Sequence, residues 1–200
     1  MADLFDEKAA DWDAGDMKQK LSNAIGSSII EQLDLKADMQ VMDFGAGTGL
    51  ICSHIAPHVE KIVAADISPS MLEKLKEKPE LRGKVETVCQ DILEKPLANK
   101  FDLIISAMAM HHVQDTDKMI QTFASHLKEG GLVALADLDK EDGTFHPADI
   151  EGVYHNGFDQ DELKAKFEHV GFKNVHFQTA ITVYKEDKPY PIFLLVATKV

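Results

Sequence analysis

The chain has 200 residues, of which 44% are hydrophobic and 28% are charged, proportions typical of a soluble globular protein with a substantial core. The 34 acidic residues outnumber the 21 basic residues, and the net charge of −13 disfavours nucleic acids and anionic membranes as partners, because both require basic patches. Since no apolar run reaches the ~20 residues of a membrane span and no secretory signal opens the chain, we expect one cytoplasmic domain over residues 1–200.

The first 35 residues divide into a polar segment and a helix. Residues 1–20 are polar and contain two isolated aromatic residues, Phe5 and Trp12. Such a segment forms either a loosely ordered tail or a lid whose aromatic side chains cover a ligand. Apolar residues then recur at helical spacing, which predicts one amphipathic helix through Leu21, Ile25, Ile29, Ile30 and Leu33.

The stretch from Val41 to Leu50 predicts a short strand, a glycine-rich turn and the start of a helix. Glycines at positions 45, 47 and 49 allow a sharp turn without Cβ clashes and leave bare amide groups at a helix N-terminus. Asp43 places a carboxylate beside this turn, which suits a ligand with positive charge or amine donors. A dinucleotide-binding domain prefers the pattern G-x-G-x-x-G, whereas this chain has Leu50 at the position of the third glycine.

Strands and helices then alternate at short intervals. Apolar runs predict strands at residues 61–66, 85–89, 101–106 and 132–136. Helices are predicted over residues 50–56, after the start signal Ser68-Pro69, and over residues 117–127, where two glycines at 130 and 131 close the helix. This alternation predicts a doubly wound α/β fold, in which helices cover both faces of a mostly parallel sheet.

The last third of the chain departs from this alternation. Residues 137–158 are irregular and polar, and a helix is predicted over residues 159–170. Two strands are predicted over residues 175–183 and 192–198, joined by a turn-rich connection. A connection this short cannot make a parallel crossover, so we expect the two strands to pair as an antiparallel hairpin.

Polar residues stand at the carboxyl ends of four predicted strands: Asp43, Asp66, Asp91 and Ser106. In an open α/β sheet, ligands bind outside these ends, at the point where the strand order reverses. Asp66 lies 17 residues after Gly49, close to the ~20-residue spacing expected of an acid that binds ribose hydroxyls. Its alternative role is structural, as part of the helix cap before Ser68.

The motif D-F-G-A-G-T-G at residues 43–49 resembles the first motif of the class I S-adenosylmethionine-dependent methyltransferases. A parallel sheet that ends in an antiparallel hairpin also resembles their seven-stranded, Rossmann-like fold, and the resemblance covers about residues 5–200. It implies S-adenosylmethionine as the cofactor. In that family the acid at the position of Asp91 contacts the adenine amine, the following apolar residue packs on the ring, and Ile67 and Met71 would cover its other face. The cofactor-binding residues that the resemblance implies are Trp12, Asp43, Phe44, Gly45, Ala46, Gly47, Asp66, Ile67, Met71, Asp91, Ile92, Ser106, Ala107 and Met108.

The implied reaction is an in-line displacement at the methyl carbon, in which the protein aligns the nucleophile and excludes water. Ser106 is not followed by the P-P-aromatic sequence of methyltransferases that act on nucleobase amino groups. The pair His111 and His112 is similar to that of the small-molecule and quinone-type branch. Two roles stay open for this pair: one histidine is a general base, or both line the pocket without moving protons.

Residues 137–158 are expected to form part of the substrate wall as an insertion after the fifth strand. We expect His146, His155 and Phe158 to line the substrate, although a solvated loop pinned by its aromatic residues is the simpler alternative. Asp137, Asp139, His146 and His155 are potential metal ligands, but they show no recognised spacing, so we predict no metal.

The sequence therefore predicts methyl transfer to a small-molecule acceptor, with no preference for a particular acceptor atom or oligomeric state. Two alternatives remain. One is a binding protein that senses S-adenosylmethionine or S-adenosylhomocysteine and transfers nothing. The other is an NAD-dependent oxidoreductase, which Leu50, the antiparallel hairpin and the single domain all disfavour.

Overall fold

The computed structural model describes residues 12–147 and 150–200, which form one sheet with helices on both faces. The strands are β1 (Gln40–Phe44), β2 (Lys61–Asp66), β3 (Val85–Cys89), β4 (Phe101–Ala107), β5 (Leu127–Leu138), β6 (Phe172–Lys185) and β7 (Lys188–Lys199). The α-helices are α1 (Asp16–Gln32), α2 (Leu50–Ile55), α3 (Pro69–Glu77), α4 (Thr116–His126) and α5 (Gln160–His169). Short 3-10 turns cover Trp12–Ala14, Ala56–His58, Pro79–Leu81 and Met110–His112. None of the described helices is long and apolar enough to cross a membrane.

The order of the strands across the sheet is β3-β2-β1-β4-β5-β7-β6. The pairs formed among β1 to β5 are parallel, and β7 is antiparallel to both β5 and β6. The predicted fold class, a doubly wound and mostly parallel sheet with a C-terminal antiparallel hairpin, is therefore confirmed. The chain runs outward from β1 to β3 and then returns to the other side of β1, so a crevice opens between the carboxyl ends of β1 and β4.

Alternate residues of each buried strand point to opposite faces of the sheet, which creates two separate hydrophobic layers. In β1, Val41 belongs to the layer that contains Ile29 of α1 and Ile55 of α2. Met42 belongs to the opposite layer, with Phe123 of α4 and Phe167 of α5. Because helices cover both faces of the sheet, the strands consist of nearly continuous apolar runs, and their polar residues lie at the strand ends.

The C-terminal hairpin is longer than predicted, and its turn is tighter. Strands β6 and β7 are joined by Glu186 and Asp187 alone, and both residues have a positive φ. A two-residue turn with this geometry matches the twist of antiparallel strands. Pro189 and Pro191 lie inside β7 because this end of the strand extends past β5, whose last partner on β7 is Ile192. A proline is tolerated where one side of a strand has no neighbouring strand.

Strand β5 also begins earlier than predicted, at Leu127 rather than at residue 132. Leu127 pairs with Phe101, and the register shifts before Leu132 pairs with Leu103. Gly130 has a φ of 72° within this irregular part of the strand. The glycines at 130 and 131 therefore accommodate a strand irregularity, and the prediction that they close α4 is wrong.

Candidate active site

The glycine-rich turn between β1 and α2 uses its three glycines for two different purposes. Gly45, Gly47 and Gly49 all have a positive φ, of 68°, 53° and 78°. A Cβ atom on Gly45 would lie 2.4 Å from Cβ of Ala109, and one on Gly49 would lie 2.7 Å from Cγ of Leu75. A Cβ atom on Gly47 would meet nothing within 4 Å. Gly45 and Gly49 therefore permit close packing, whereas Gly47 faces open space that a ligand can fill.

That open space is part of a cavity of about 810 Å³ at the carboxyl ends of the parallel strands. Its volume lies within the ~300–1,000 Å³ range of small-molecule sites. The predicted site residues that line it are Trp12, Asp43, Phe44, Gly45, Ala46, Gly47, Asp66, Ile67, Met71, Asp91, Ile92, Ala107, Met108 and His112. Phe5, the other predicted lid residue, lies outside the described residues.

Two carboxylates in the cavity are oriented by backbone amides close to them in the fold. Asp66 accepts hydrogen bonds from the amide of Gly47 at 2.7 Å and from the amide of Ser68 at 2.8 Å. Asp91 is exposed and accepts a hydrogen bond from the amide of Leu93 at 2.9 Å. Each carboxylate oxygen has two lone pairs, so both side chains retain acceptor capacity for the hydroxyl or amine groups of a ligand.

Asp43 is almost completely buried, with 1% of its surface exposed, at the base of the glycine turn. The pKa of its carboxyl group is raised to about 7, mainly by burial; a hydrogen bond from the Cys52 thiol opposes this rise, and the charge of the nearby Asp66 adds to it. The thiol sulfur lies 3.1 Å from Oδ2 of Asp43. A cationic group in the cavity would favour the charged carboxylate, so this side chain is suited to recognise positive charge.

Ser106 does not line the cavity. It is fully buried, and its hydroxyl group donates a hydrogen bond to the carbonyl of Phe44 at 2.8 Å. This bond joins the carboxyl end of β4 to the end of β1, beneath the two loops that form the cavity. The structure therefore places Ser106 as a support of the cavity floor.

The adjacent histidines occupy different environments. His112 lines the cavity, and its Nδ1 lies 2.6 Å from the carbonyl oxygen of Gly152. His111 is buried, with its Nδ1 2.8 Å from Oδ1 of Asp137 and its amide 3.2 Å from Oδ2. The two rings are stacked at a tilt, with centroids 4.2 Å apart. His111 therefore supports the ring of His112 from behind.

The three residues predicted to line the substrate do not reach the cavity. The ring of His146 lies behind that of His111, at a centroid distance of 4.9 Å. The pKa of His146 is lowered to about 4, mainly by burial and then by the neighbouring His111 and His112. His155 places Nε2 2.9 Å from the carbonyl of Val113, and Phe158 packs beside its ring at 5.2 Å. Within residues 12–147 and 150–200, no group of potential ligands could hold a metal ion.

The sequence did not single out several cavity residues that belong to α1, α4 and the loops around them. They include Lys18, Leu21, Ile25, Gln114, Lys118 and Tyr154. The helical periodicity identified Leu21 and Ile25 as an apolar stripe, but it could not show that this stripe overhangs a ligand site. Tyr154 brings residues 137–158 to the cavity instead of the predicted His146, His155 and Phe158.

The sequence profile of a protein family described as a methyltransferase domain matches residues 17–177 of the chain. The chain belongs to this family. Two curated methyltransferases support this assignment. An uncharacterized methyltransferase of Schizosaccharomyces pombe is 31% identical over 70% of this chain and 55% of its own length. A ubiquinone biosynthesis O-methyltransferase of Coxiella burnetii is 32% identical over 68% of this chain and 60% of its own length. The chain thus spans little more than half the length of these relatives.

The fold is also shared with methyltransferases of known structure. Phosphoethanolamine N-methyltransferase 2 of Haemonchus contortus was solved with phosphomonomethylethanolamine and S-adenosylhomocysteine. It aligns with a TM-score of 0.74 and 15% identity over 98% of this chain and 59% of that protein. The chain therefore belongs to a methyltransferase family and has the class I methyltransferase fold, as predicted, and none of these relatives supports the dinucleotide or sensor alternatives.

The cavity of this methyltransferase fits S-adenosylmethionine. The open space above Gly47 admits a ligand against bare backbone, which a side chain at that position would fill. Carboxylates at the ends of β1, β2 and the loop after β3 suit the ammonium, hydroxyl and amine groups of this cofactor. Apolar residues between them suit its adenine ring. The residues present therefore fit the cofactor that the sequence predicted.

Proposed function

We propose that this methyltransferase methylates a hydroxyl group of a small, largely apolar molecule, with His112 as the general base. The observation that carries the proposal is the setting of His112. Among the described residues it is the one histidine that lines the cavity, and its Nδ1 faces a carbonyl oxygen. Since a carbonyl only accepts hydrogen bonds, Nδ1 must carry the proton. The neutral ring therefore has its lone pair on Nε2, as a proton acceptor requires.

The cofactor would be held by the residues at the ends of β1, β2 and β3. Asp66 would accept hydrogen bonds from the ribose hydroxyls, and Asp91 would accept one from the adenine amine. Ile67, Met71 and Ile92 would pack on the adenine ring. Asp43 would favour the cationic end of the ligand, next to the backbone of Gly47. Bound S-adenosylmethionine supplies an electrophilic methyl group whose leaving group is neutral S-adenosylhomocysteine.

The acceptor would occupy the part of the cavity beyond the glycine turn. Leu21 and Ile25 of α1 and Val113 provide apolar walls there, and Tyr154 closes the side formed by residues 137–158. His112 would take the proton of the acceptor hydroxyl while the new O–CH₃ bond forms and the S–CH₃ bond breaks. The surrounding apolar side chains would exclude water from this step. The O-methyltransferase name of the Coxiella burnetii relative supports a hydroxyl acceptor.

We further propose that residues 1–200 act as one domain, in which Trp12 belongs to a lid and residues 137–158 form the acceptor wall. His111, His146, His155 and Phe158 would then support this wall from behind. Their contacts with His112, Val113 and one another favour such a role.

The experiment is a methyl-transfer assay with labelled S-adenosylmethionine and matched acceptors: a catechol, a phenol and an aniline of similar size. We expect the label on the hydroxyl compounds. His112→Gln should lower kcat about a hundredfold, the usual contribution of a general base, while calorimetry shows unchanged affinity for S-adenosylhomocysteine. His58→Gln, at an exposed position away from the cavity, is the matched control.

Two further results would decide the proposal. Asp66→Ala should abolish measurable binding of S-adenosylhomocysteine, which would locate the cofactor independently of the acceptor. Transfer to the aniline alone, or an unchanged kcat in His112→Gln, would contradict the proposed hydroxyl acceptor and the proposed base.

A further inference from the structure

Asp13 connects the segment that precedes α1 to two elements on the other side of the cavity. Its Oδ1 accepts a hydrogen bond from the hydroxyl of Thr48 at 2.5 Å, and its Oδ2 forms an ion pair with Lys78 Nζ at 2.7 Å. Its backbone carbonyl accepts a hydrogen bond from the side-chain amide of Gln19 at 2.9 Å. We call Asp13, Thr48 and Lys78 the clasp.

The clasp is attached to the part of the molecule that receives the cofactor. Thr48 stands between Gly47 and Gly49 in the glycine turn, and only 1% of its surface is exposed. Lys78 caps the C-terminus of α3, and its side chain is 17% exposed. The side chain of Asp13 is 34% exposed, so the ion pair is partly sheltered from solvent, and the buried hydroxyl of Thr48 adds a second contact to it.

The other end of the clasp reaches the cavity. Trp12, the neighbour of Asp13, lines the cavity, and the ammonium group of Lys18 lies 3.1 Å from the centre of its ring. Lys18 and Leu21, from the first turns of α1, line the same cavity. The position of Asp13 therefore decides where Trp12 and the start of α1 lie relative to the acceptor.

We propose that Asp13 is a positioning residue that couples occupation of the glycine turn by the cofactor to closure of Trp12 over the cavity. A ligand on the backbone of Gly47 restrains the turn and with it the hydroxyl of Thr48. A restrained Thr48 offers Asp13 a fixed partner, so less conformational entropy is lost when the clasp forms. The inference rests on the cofactor position proposed above, and the coupling must be reciprocal: the factor by which bound cofactor strengthens the clasp equals the factor by which the formed clasp strengthens cofactor binding.

Trp12 is the single tryptophan of the chain, so its fluorescence reports the clasp without a label. The full chain is titrated with S-adenosylhomocysteine while acrylamide quenching of Trp12 is measured, and calorimetry gives the affinity. In the natural protein, binding should protect Trp12 from acrylamide. Asp13→Ala and Thr48→Val should abolish this protection and weaken S-adenosylhomocysteine binding about tenfold, a typical coupling between sites.

Two more variants separate the components of the clasp. Asp13→Asn and Lys78→Met both remove the ion pair and leave Thr48 an acceptor, so they should have smaller effects than Asp13→Ala. Lys76→Met, at an exposed position on the same helix, should match the natural protein. Circular dichroism identifies any variant that fails to fold, and the isosteric Thr48→Val then decides the case.

The proposal is overturned if Asp13→Ala and Thr48→Val bind S-adenosylhomocysteine with unchanged affinity, or if affinity and Trp12 protection do not change together. Failure of the natural protein to bind S-adenosylhomocysteine would overturn both this inference and the proposed cofactor site. Normal coupling in a protein that methylates no hydroxyl compound would contradict the proposed function alone.

Discussion

The cofactor side and the acceptor side of the cavity are built in different ways. On the cofactor side, each acidic residue lies at or just beyond the carboxyl end of a parallel strand. Its orientation comes from the adjoining loops, as for Asp66, which is held by the amides of Gly47 and Ser68. On the acceptor side, the contacts join distant parts of the chain. His111 meets Asp137, 26 positions away, and His112 meets Gly152, 40 positions away.

This difference separates two kinds of site construction. A ligand bound at strand ends needs only a regular sheet and short polar loops, which local sequence encodes. A ligand enclosed by an insertion needs tertiary contacts that keep the insertion in place. We therefore expect acceptor-side mutations to affect stability as well as activity, and mutations of exposed cofactor-side acids to affect binding alone.

The largest expected effect is that of Asp137→Ala on stability. Asp137 is fully buried and accepts hydrogen bonds from the ring and the amide of His111 and from the amide of Leu138. Removing one partner of a buried pair leaves the other polar groups unsatisfied, so the free energy of unfolding should fall by about 3 kcal/mol. Urea denaturation followed by circular dichroism measures this loss.

Asp91→Ala is the control on the cofactor side, because Asp91 is exposed and its carboxylate accepts a hydrogen bond from the amide of Leu93. Its free energy of unfolding should change by less than about 1 kcal/mol, while S-adenosylhomocysteine binding weakens. Equal, small stability losses in the two variants would show that the buried pair does not hold the acceptor side together.

The next effect separates the two purposes of the glycines in the turn. Alanine at either Gly45 or Gly47 must adopt a positive φ, which costs about 1–2 kcal/mol. Gly45→Ala adds a collision with Cβ of Ala109, so it should destabilise the protein more than Gly47→Ala. Gly47→Ala should instead weaken S-adenosylhomocysteine binding, because its methyl group occupies ligand space. Thermal unfolding and calorimetry separate the two outcomes.

The collision at Gly45 allows a rescue experiment. The double variant Gly45→Ala with Ala109→Gly removes the atom that lies 2.4 Å away and should recover part of the lost stability. The same Ala109→Gly change should not help Gly47→Ala. A rescue of both variants would mean that backbone strain, rather than packing against Ala109, governs Gly45.

The sequence was most informative where chemistry follows a strand directly. The acids at positions 43, 66 and 91 and the glycine turn were identified from position alone, and each lines the cavity. Ser106 occupies the equivalent position on β4, yet its hydroxyl binds Phe44 within the protein. A strand-end position predicts proximity to a ligand, whereas the side-chain direction depends on which neighbour offers a hydrogen bond.

Sequence was less informative where distant segments meet. The sequence treated His111 and His112 as one pair, but their separation into one buried and one cavity-lining ring depends on Asp137 and Gly152. Neither contact has a local signal. For the same reason His146, His155 and Phe158 were expected at the substrate, whereas Tyr154 is the residue of that segment that reaches the cavity.

The remaining effects concern pH, and they have opposite signs at Asp43 and at His146. The pKa of Asp43 is raised to about 7 in the fold, mainly by burial, from an ordinary value of 3.8. The folded protein therefore binds this proton more tightly than the unfolded chain. The contribution of Asp43 to stability is greatest below pH 4 and falls as pH rises toward 7, by up to about 1.4 kcal/mol per pH unit.

His146 behaves in the reverse way, because burial and the neighbouring histidines lower its pKa to about 4 from 6.5. Its contribution is complete above pH 6.5 and is lost as pH falls toward 4. Between about pH 4 and pH 6.5, the stability contributed by Asp43 falls with rising pH while that contributed by His146 rises. The two trends therefore partly cancel in the free energy of unfolding of the natural protein. We expect the free energy of unfolding of the natural protein, minus that of Asp43→Asn, to fall with rising pH. The corresponding difference for His146→Gln should rise with pH.

Saturating S-adenosylhomocysteine should alter only one of these two curves. Its ammonium group would favour the charged form of Asp43, so the slope associated with Asp43 should flatten, whereas the slope associated with His146, which does not line the cavity, should persist. Denaturation at a series of pH values with and without the ligand measures both. If the ligand instead extends the His146 curve to lower pH, the cationic end of the cofactor lies beside His146, and the assignment of the two sides must be reversed.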